Sequence, residues 1–152
     1  MPTRTILVVE DDPNDENLTL RAFRQAELPC TVVVAHTAQE AMQFLLREGP
    51  FDGRRSSDPA VVFVDNTLPG YGGAELVSRI REVKALAGVP VVVLSGSSDI
   101  NVVESCCKAG ANSFLEKPLE MGDYLRQVSM AAQYWLNLNL CVHSKTGQAS
   151  AL

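Results

Sequence analysis

Four carboxylate side chains follow apolar runs of the sequence, at positions where they could act together. Glu10, Asp11 and Asp12 end one run, and Asp65 ends another. Asp12 precedes Pro13, a pair typical of a helix start. Glu10 and Asp11 lack such an explanation, because carboxylates about 4 Å apart repel by a few kcal/mol at an effective dielectric constant of about 20. A hard divalent cation removes that penalty, so these acids predict a metal site for Mg²⁺.

Two further side chains stand at similar positions. Ser95 ends the run PVVVLS, and Lys117 ends the segment NSFLEK directly before a proline. Each is commonplace alone. Together with the acids they provide a carboxylate, a metal, a hydroxyl and an ammonium, which suits phosphoryl transfer. A carboxylate can be the nucleophile and hold an aspartyl phosphate.

Short apolar segments alternate with amphipathic ones along the chain. The apolar segments are rich in β-branched residues and are continuous rather than alternating, which predicts strands that are covered on both faces. They lie at 5–10, 30–35, 60–65, 90–95 and 112–117. The amphipathic segments predict helices. These lie at 13–28, 37–48, 73–87, 98–109 and 119–136.

Five strand–helix repeats predict an α/β fold of (βα)5 type, a doubly wound parallel sheet with helices on both faces. We expect the flavodoxin-like order 2-1-3-4-5, because five strands match it and no Gly-x-Gly-x-x-Gly follows the first strand. Ligands of such sheets bind at the carboxyl ends of the strands where the order switches. Those strands are the first and third, which end in Glu10 and Asp65.

Composition narrows the class of protein further. The 152 residues suffice for one domain, and 13 Lys and Arg against 18 Asp and Glu give a net charge of −5. This acidic balance argues against nucleic-acid binding. No apolar run approaches the ~20 residues of a membrane span. The four cysteines lack Cys-x-x-Cys spacing and indicate reduced thiols, so we expect a cytoplasmic protein without a membrane partner.

Two segments depart from the alternation of strands and helices. The polar loop 49–59 contains Arg54 and Arg55, which we expect to be solvated. Residues 141–152 lack periodicity and bulky side chains, which predicts a disordered tail. This leaves residues 1–140 for one domain that includes a C-terminal helix and arm.

The last predicted helix carries more apolar side chains than one buried face requires. Met130, Tyr134 and Leu136 are the surplus. The alternation of Leu and Asn at 136–140 suits an extended arm as well as a fraying helix end. Because an apolar surplus at a terminus is typical of a self-association face, we expect a homodimer through helix five and this arm.

The motifs together resemble the receiver domain of response regulators over residues 4–136. ILVVEDD matches at the first strand, VVVLSGS at the fourth and FLEKP at the fifth. VVFVD matches at the third strand and begins the Asp-x-x-x-Pro-x-x-x-Gly pattern of Asp65, Pro69 and Gly73. The intervals from this aspartate to the later serine and lysine are those usual in the family.

The resemblance implies that Asp65 accepts a phosphoryl group from the phosphohistidine of a sensor histidine kinase. Asp11 and Asp65 would bind Mg²⁺ directly together with the backbone carbonyl of Thr67, and Glu10 would assist through water. The protein would catalyse its own phosphorylation and dephosphorylation, and would not be an enzyme in the usual sense.

The resemblance also implies a conformational switch. Ser95 would move to hydrogen-bond the phosphoryl oxygens, Lys117 would pair with another of them, and Phe114 would rotate into the vacated space. The bond between Lys117 and Pro118 would be cis. Phe114 stands where many relatives have Tyr, so a readout through a phenolic hydroxyl is excluded.

The long loop before the third strand, the lack of an output domain and the ending QYWLNL resemble stand-alone receivers. Such receivers partner phytochrome-type sensor histidine kinases, so we expect a kinase of this kind, such as a bacteriophytochrome. Two alternatives stay open. A small phosphatase of the haloacid-dehalogenase kind also uses Asp and Mg²⁺, but its second Asp is Thr67 here. A flavin-binding module shares the fold, but the acidic edge would repel the FMN phosphate.

Overall fold

The computed structural model describes residues 4–139, 142–143 and 148–149. One sheet of five parallel strands has the order β2-β1-β3-β4-β5. The strands are β1 (Arg4–Val9), β2 (Cys30–Ala35), β3 (Val61–Asp65), β4 (Val91–Ser95) and β5 (Ser113–Glu116). The predicted α/β class and the flavodoxin-like strand order are confirmed.

Five α-helices alternate with these strands. They are α1 (Pro13–Gln25), α2 (Ala38–Leu46), α3 (Gly73–Glu82), α4 (Ile100–Ala109) and α5 (Met121–Gln133). Each is shorter than its predicted segment, because the amphipathic pattern continues into turns. A 3₁₀ turn at Lys84–Leu86 follows α3, for example, and buries Leu86 without extending the helix.

Side-chain caps fix where the first two helices begin. The Asp12 carboxylate accepts hydrogen bonds from the backbone N–H of Asn14 at 2.7 Å and of Asp15 at 3.3 Å. The Thr37 hydroxyl accepts one from the N–H of Glu40 at 3.0 Å. Such caps satisfy N–H groups that have no partner within the helix. The cap at Asp12 therefore starts α1 directly after the two acidic residues, Glu10 and Asp11, that follow β1.

The sheet separates two apolar cores. Residues of a strand point alternately to opposite faces, so Ile6 and Val8 join the core beneath α1 and α5, which includes Phe23. Leu7 and Val9 join the core beneath α2, α3 and α4. Burial on both faces explains why the central strands are continuously apolar.

The end of α5 differs from the prediction. A π-helical turn at Tyr134–Leu138 follows the helix and brings Leu136 into the core beneath α1 and α5, where it is only 5% exposed. Leu136 lies four residues after the buried Ala132, so it continues the buried face of α5 and is no part of the exposed surplus. Met130, Tyr134 and Leu138 are exposed.

The described residues after Asn139 form two short strands, β6 (Val142–His143) and β7 (Gln148–Ala149), paired antiparallel. Most of the segment predicted as a disordered tail, 141–152, lies outside the described residues. The boundary after residue 140 and the disorder of the tail stay predictions.

The expectation that Arg54 is solvated is wrong. Its side chain is 7% exposed, and its guanidinium lies 4.1 Å from the centre of the Phe44 ring. It donates hydrogen bonds to the carbonyl oxygens of Phe44 at 3.0 Å and Ser56 at 2.6 Å, and lies 3.5 Å from Asp58. Five N–H donors on one planar group suit an irregular loop whose carbonyls need partners. Arg55, by contrast, is exposed.

The expectation of a cis bond between Lys117 and Pro118 is also wrong. The part of the chain that the structure describes contains no cis peptide bond. Trans is the default for bonds before proline, favoured by about 0.5–1 kcal/mol in the absence of other constraints.

Candidate functional site

Three acidic side chains meet at the carboxyl ends of the two central strands β1 and β3. Glu10 follows β1 and Asp65 ends β3, and both are almost completely buried, whereas Asp11 is exposed. One carboxylate oxygen from each of the three lies within 4.8 Å of the other two. The topology therefore brings Asp65 to two acids that lie 55 and 54 positions before it in the sequence.

The alternation of side chains along the strands divides the predicted site between the two faces of the sheet. Counted in steps of two from the core residues, Glu10, Asp65 and Lys117 belong to the face covered by α1 and α5. Ser95 and Phe114 belong to the face covered by α2, α3 and α4. The two buried acids of the cluster, Glu10 and Asp65, and the expected switch residues thus lie on opposite sides of one sheet edge.

Lys117 contacts three carboxylates at once. Its Nζ lies 2.8 Å from Oδ2 of Asp15, 3.1 Å from Oδ1 of Asp65 and 3.4 Å from Oε1 of Glu10. Burial by itself would lower the pKa of Lys117. The hydrogen bond to Asp15 and the charges of Asp65 and Glu10 outweigh burial and raise the pKa above its ordinary value. Lys117 therefore carries a positive charge at neutral pH.

The electrostatics of Glu10 are those of an acid in a crowded anionic site. Burial and the negative charge of Asp65 raise the pKa of Glu10 from 4.5 to about 8, although Lys117 acts in the opposite direction. A carboxyl group that is buried next to a carboxylate prefers to keep its proton. A cation at this point would relieve that repulsion.

Asp15 is the residue that sequence reasoning missed. It stands in the first turn of α1, a position where acids commonly serve only the helix dipole. The available signal was topological: right-handed crossovers place α1 and α5 on one face, which is also the face of Lys117. An acid at the start of α1 could therefore have been expected near the end of β5.

Ser95, Phe114 and Thr67 are the remaining residues of the predicted site. Ser95 ends β4 with 1% exposure, and its Oγ accepts a hydrogen bond from the N–H of Ser97 at 3.1 Å. Phe114 of β5 pairs with Val93 of β4 and is partly buried against the core of α2, α3 and α4. The Thr67 hydroxyl donates to Oδ2 of Asp65 at 3.0 Å. The position that carries a second Asp in the alternative phosphatase therefore presents a hydroxyl to Asp65.

The cluster fits a hard divalent cation by its donor set. Glu10, Asp11 and Asp65 supply oxygen atoms at a spacing that one ion can bridge, and such ions prefer oxygen ligands. Burial, followed by the negative charge of Asp65, raises the pKa of Glu10, so its charged form is disfavoured in the absence of a cation. A cation in the cluster would favour the charged form of Glu10.

This fold and site define a class of protein, and comparison with known proteins assigns the chain to it. The family model of the response regulator receiver domain matches residues 6–129. The chain belongs to this family and is a receiver domain of two-component response regulators. Neither the phosphatase nor the flavin-binding alternative is supported.

Individual relatives give a closer view. The chain is 34% identical to the probable methanogenesis regulatory protein FilR2 of Methanothrix harundinacea over 135 residues, which cover 88% of this chain and 84% of that one. The crystal structure of the phosphorylated cyanobacterial phytochrome response regulator RcpA matches with a TM-score of 0.85 and 27% identity, covering 91% of this chain and 98% of that one.

Response regulator Rcp1 of Synechocystis is 27% identical over 135 residues, which cover 89% of this chain and 90% of that one. The crystal structure of its Mn²⁺-bound form matches with a TM-score of 0.82 and 25% identity, over 91% of this chain and 98% of that one. Single-domain phytochrome response regulators are thus among the close relatives of this chain.

Among the described residues, no helix is long and apolar enough to cross a membrane. The cytoplasmic location stays a prediction.

Proposed function

We propose that Asp65 is the phosphoacceptor of this receiver domain and that a sensor histidine kinase is its donor. The observation that carries the proposal is the setting of the Asp65 carboxylate. It is 4% exposed at the end of β3, with the ammonium of Lys117 3.1 Å away and the oxygens of Glu10 and Asp11 within 4.8 Å. Among the acids of the cluster, Asp65 alone combines this central position with a strand end.

The transfer would exchange one bond for another. A carboxylate oxygen of Asp65 attacks the phosphorus of a phosphohistidine, an O–P bond forms, and the P–N bond breaks. The imidazole nitrogen keeps the bonding pair and takes a proton from solvent. Lys117 donates to a phosphoryl oxygen, where its charge offsets the negative charge of the transferred group. The protein thereby catalyses its own phosphorylation, and attack by water on the phosphorus of the acyl phosphate then releases inorganic phosphate and restores the Asp65 carboxylate.

We assign the divalent site to Glu10, Asp11, Asp65 and the backbone carbonyl of Thr67, with Mg²⁺ as the resident ion. A bound Mg²⁺ would supply charge neutralisation for the phosphoryl oxygens. The structure of Rcp1 in its Mn²⁺-bound form supports a divalent ion in a related protein. In this chain, Glu10 and Asp11 hold oxygen donors beside the acceptor carboxylate.

The conformational response would pass through Ser95 and Phe114. The Ser95 hydroxyl is buried beside the end of β4, and its present partner is the backbone of Ser97. A phosphoryl group on Asp65 offers a charged acceptor, which a hydroxyl favours over a neutral one. Movement of Ser95 toward it would leave space that the partly buried ring of Phe114 fills. Coupling of this kind is typically worth ~1–3 kcal/mol.

The kinase that fits best is of the phytochrome type, such as a bacteriophytochrome. Support comes from the likeness to the cyanobacterial phytochrome response regulator RcpA. Phosphotransfer from a purified phytochrome-type histidine kinase should outpace transfer from a histidine kinase that lacks a photosensory module. Equal rates from both would contradict this assignment.

The partner on the C-terminal side would be a second copy of the chain. Met130, Tyr134 and Leu138 stand at intervals of four residues, and are 64%, 46% and 70% exposed. This spacing makes one apolar stripe along α5 and the turn that follows it. Light scattering should give a dimer that Met130→Glu converts to a monomer, whereas Leu46→Glu, at an exposed leucine on α2, should leave it dimeric. A wild-type monomer at high concentration would contradict the dimer.

Labelling with radioactive acetyl phosphate tests the acceptor directly. The wild-type protein should take up label only when Mg²⁺ is present, and Asp65→Asn should take up none. Asp52→Asn is a matched control, because Asp52 is an exposed acid in the loop before β3. Label that persists in Asp65→Asn would overturn the assignment.

A further inference from the structure

Lys117 has one partner whose role the phosphoryl chemistry leaves unexplained. The shortest of its three contacts, 2.8 Å, is made to Asp15 rather than to Asp65 or Glu10. An ammonium has three N–H donors, so the three carboxylates together can use all of them. Asp15 is the one partner supplied by a helix and not by a strand end.

Asp15 also differs from the other two partners in its relation to the metal cluster. Glu10 and Asp65 belong to the group of acids whose oxygens lie within 4.8 Å of one another, and Asp15 does not. A cation held by that group would share the charge of Glu10 and Asp65 and would repel the ammonium of Lys117. The negative charge of Asp15 would not be shared with this cation, so its attraction for Lys117 would keep its full strength.

The position of Asp15 is fixed by the way α1 is held. Its N–H donates to the capping carboxylate of Asp12 at 3.3 Å. One turn further along α1, the Thr19 hydroxyl lies 2.9 Å from the hydroxyl of Tyr124 on α5, and both residues are buried. Because the helix is tied both at its start and against α5, the Asp15 carboxylate is held in place beside Lys117.

We infer that Asp15 is a positioning residue, which holds the Lys117 ammonium beside Asp65 against the repulsion of a bound divalent cation. This inference rests on the proposed function of Asp65 and adds a fourth carboxylate with a distinct task. Asp15 touches neither the acceptor nor the phosphoryl group, and acts only through Lys117.

The loss of Asp15 has two opposite consequences, which makes the inference testable. Removing one negative charge near the site favours the approach of an anionic phosphodonor and by itself raises the rate of phosphorylation. Releasing Lys117 lowers that rate, because oriented groups lose much of their effect when they become mobile. Glu16→Gln removes the same charge from the same turn of α1, where Glu16 pairs with His36 at 2.8 Å. It is therefore a matched control for the charge alone.

The experiment compares Asp15→Asn, Asp15→Glu and Glu16→Gln with the wild-type protein. With Mg²⁺ and acetyl phosphate, Asp15→Asn should phosphorylate about tenfold more slowly, as is typical when a supporting partner of a functional group is lost. Glu16→Gln should match or exceed the wild-type rate, and Asp15→Glu should recover most of it. A rate for Asp15→Asn at or above that of Glu16→Gln would overturn the inference.

A second readout is independent of phosphorylation. In ¹⁵N NMR spectra recorded with Mg²⁺, the Lys117 ammonium should exchange its protons slowly in the wild-type protein and in Glu16→Gln, and fast in Asp15→Asn. Equal exchange in all three would contradict the positioning role. Failure of the proposed function is distinguishable, since label would then be missing from Asp65 while the difference in exchange persisted.

Discussion

The two faces of the sheet carry different kinds of side chain at the same edge. On the face of α1 and α5, Glu10, Asp65 and Lys117 form a preassembled group of charges, with contacts between 3.1 and 3.4 Å around the ammonium. On the face of α2, α3 and α4, Ser95 and Phe114 make only a backbone hydrogen bond and a partly buried apolar contact. Under the proposed function, the charged face would carry the chemistry and the neutral face the conformational response.

The charged face should be the more sensitive of the two to a single substitution. Lys117→Met leaves three carboxylates without their shared cation, which should cost about 3 kcal/mol of unfolding free energy and slow phosphorylation about 100-fold. Urea unfolding and acetyl phosphate labelling check both values. Lys108→Met, at an exposed lysine on α4, should change neither, and an equal effect there would remove the distinction between the faces.

On the face of α2, α3 and α4, a substitution should lower stability without changing the rate of phosphorylation. Phe114→Ala should lower the unfolding free energy by about 2 kcal/mol, less than for a fully buried ring because Phe114 is only partly covered. The initial rate of phosphorylation should match that of the wild-type protein, since the ring makes no contact with the charged group. A loss of rate as large as that of Lys117→Met would contradict the division.

The charged face should also make the metal-free protein sensitive to pH. The pKa of Glu10 rises from 4.5 to about 8 on folding because of burial and the charge of Asp65. The folded state then binds this proton more tightly, so stability should fall as pH rises from 4.5 toward 8. The slope should be at most about 1.4 kcal/mol per pH unit.

Glu10→Gln should flatten this slope, and so should saturating Mg²⁺ with the wild-type protein. Unfolding by urea at several pH values measures it. A slope that survives in Glu10→Gln would place its origin elsewhere in the molecule.

The smallest expected change in stability concerns the N-terminal side-chain caps of two helices, one on each face of the sheet. Asp99 caps α4 by accepting from the N–H of Asn101 at 2.8 Å, and Asp99→Ala should cost about 1 kcal/mol. Asp12→Ala at the start of α1 should cost less, because it also removes a charge beside Asp11. Thermal unfolding checks the order, and a larger loss for Asp12→Ala would weaken the view that this face is crowded with negative charge.

Fold class and strand order could be predicted from local pattern because each strand is short, apolar and β-branched. The residues at which the helices end, and the structure of the loops, could not be predicted in this way. The π turn that follows α5 depends on the shape of the core beneath α1 and α5, which Leu136 joins. The burial of Arg54 depends on the Phe44 ring and on carbonyls of a loop without periodicity.

The candidate site was predictable where residues follow strands, since all carboxyl ends of a parallel sheet meet at one edge. Glu10, Asp65 and Lys117 are residues of this kind. Asp15 was not found, because an acid in the first turn of a helix has an adequate local explanation. Only the distance across to Lys117 distinguishes it from the neighbouring Glu16, and that distance is a property of the tertiary fold.

The most direct test of the central claim is to locate the acyl phosphate. After incubation with acetyl phosphate and Mg²⁺, borohydride reduces an aspartyl phosphate to homoserine, which fragment-ion mass spectrometry assigns to a position. The account predicts homoserine at position 65 in the wild-type protein and none when Mg²⁺ is withheld. Homoserine at position 11 instead, or none with Mg²⁺ present, would contradict the claim that Asp65 is the phosphoacceptor.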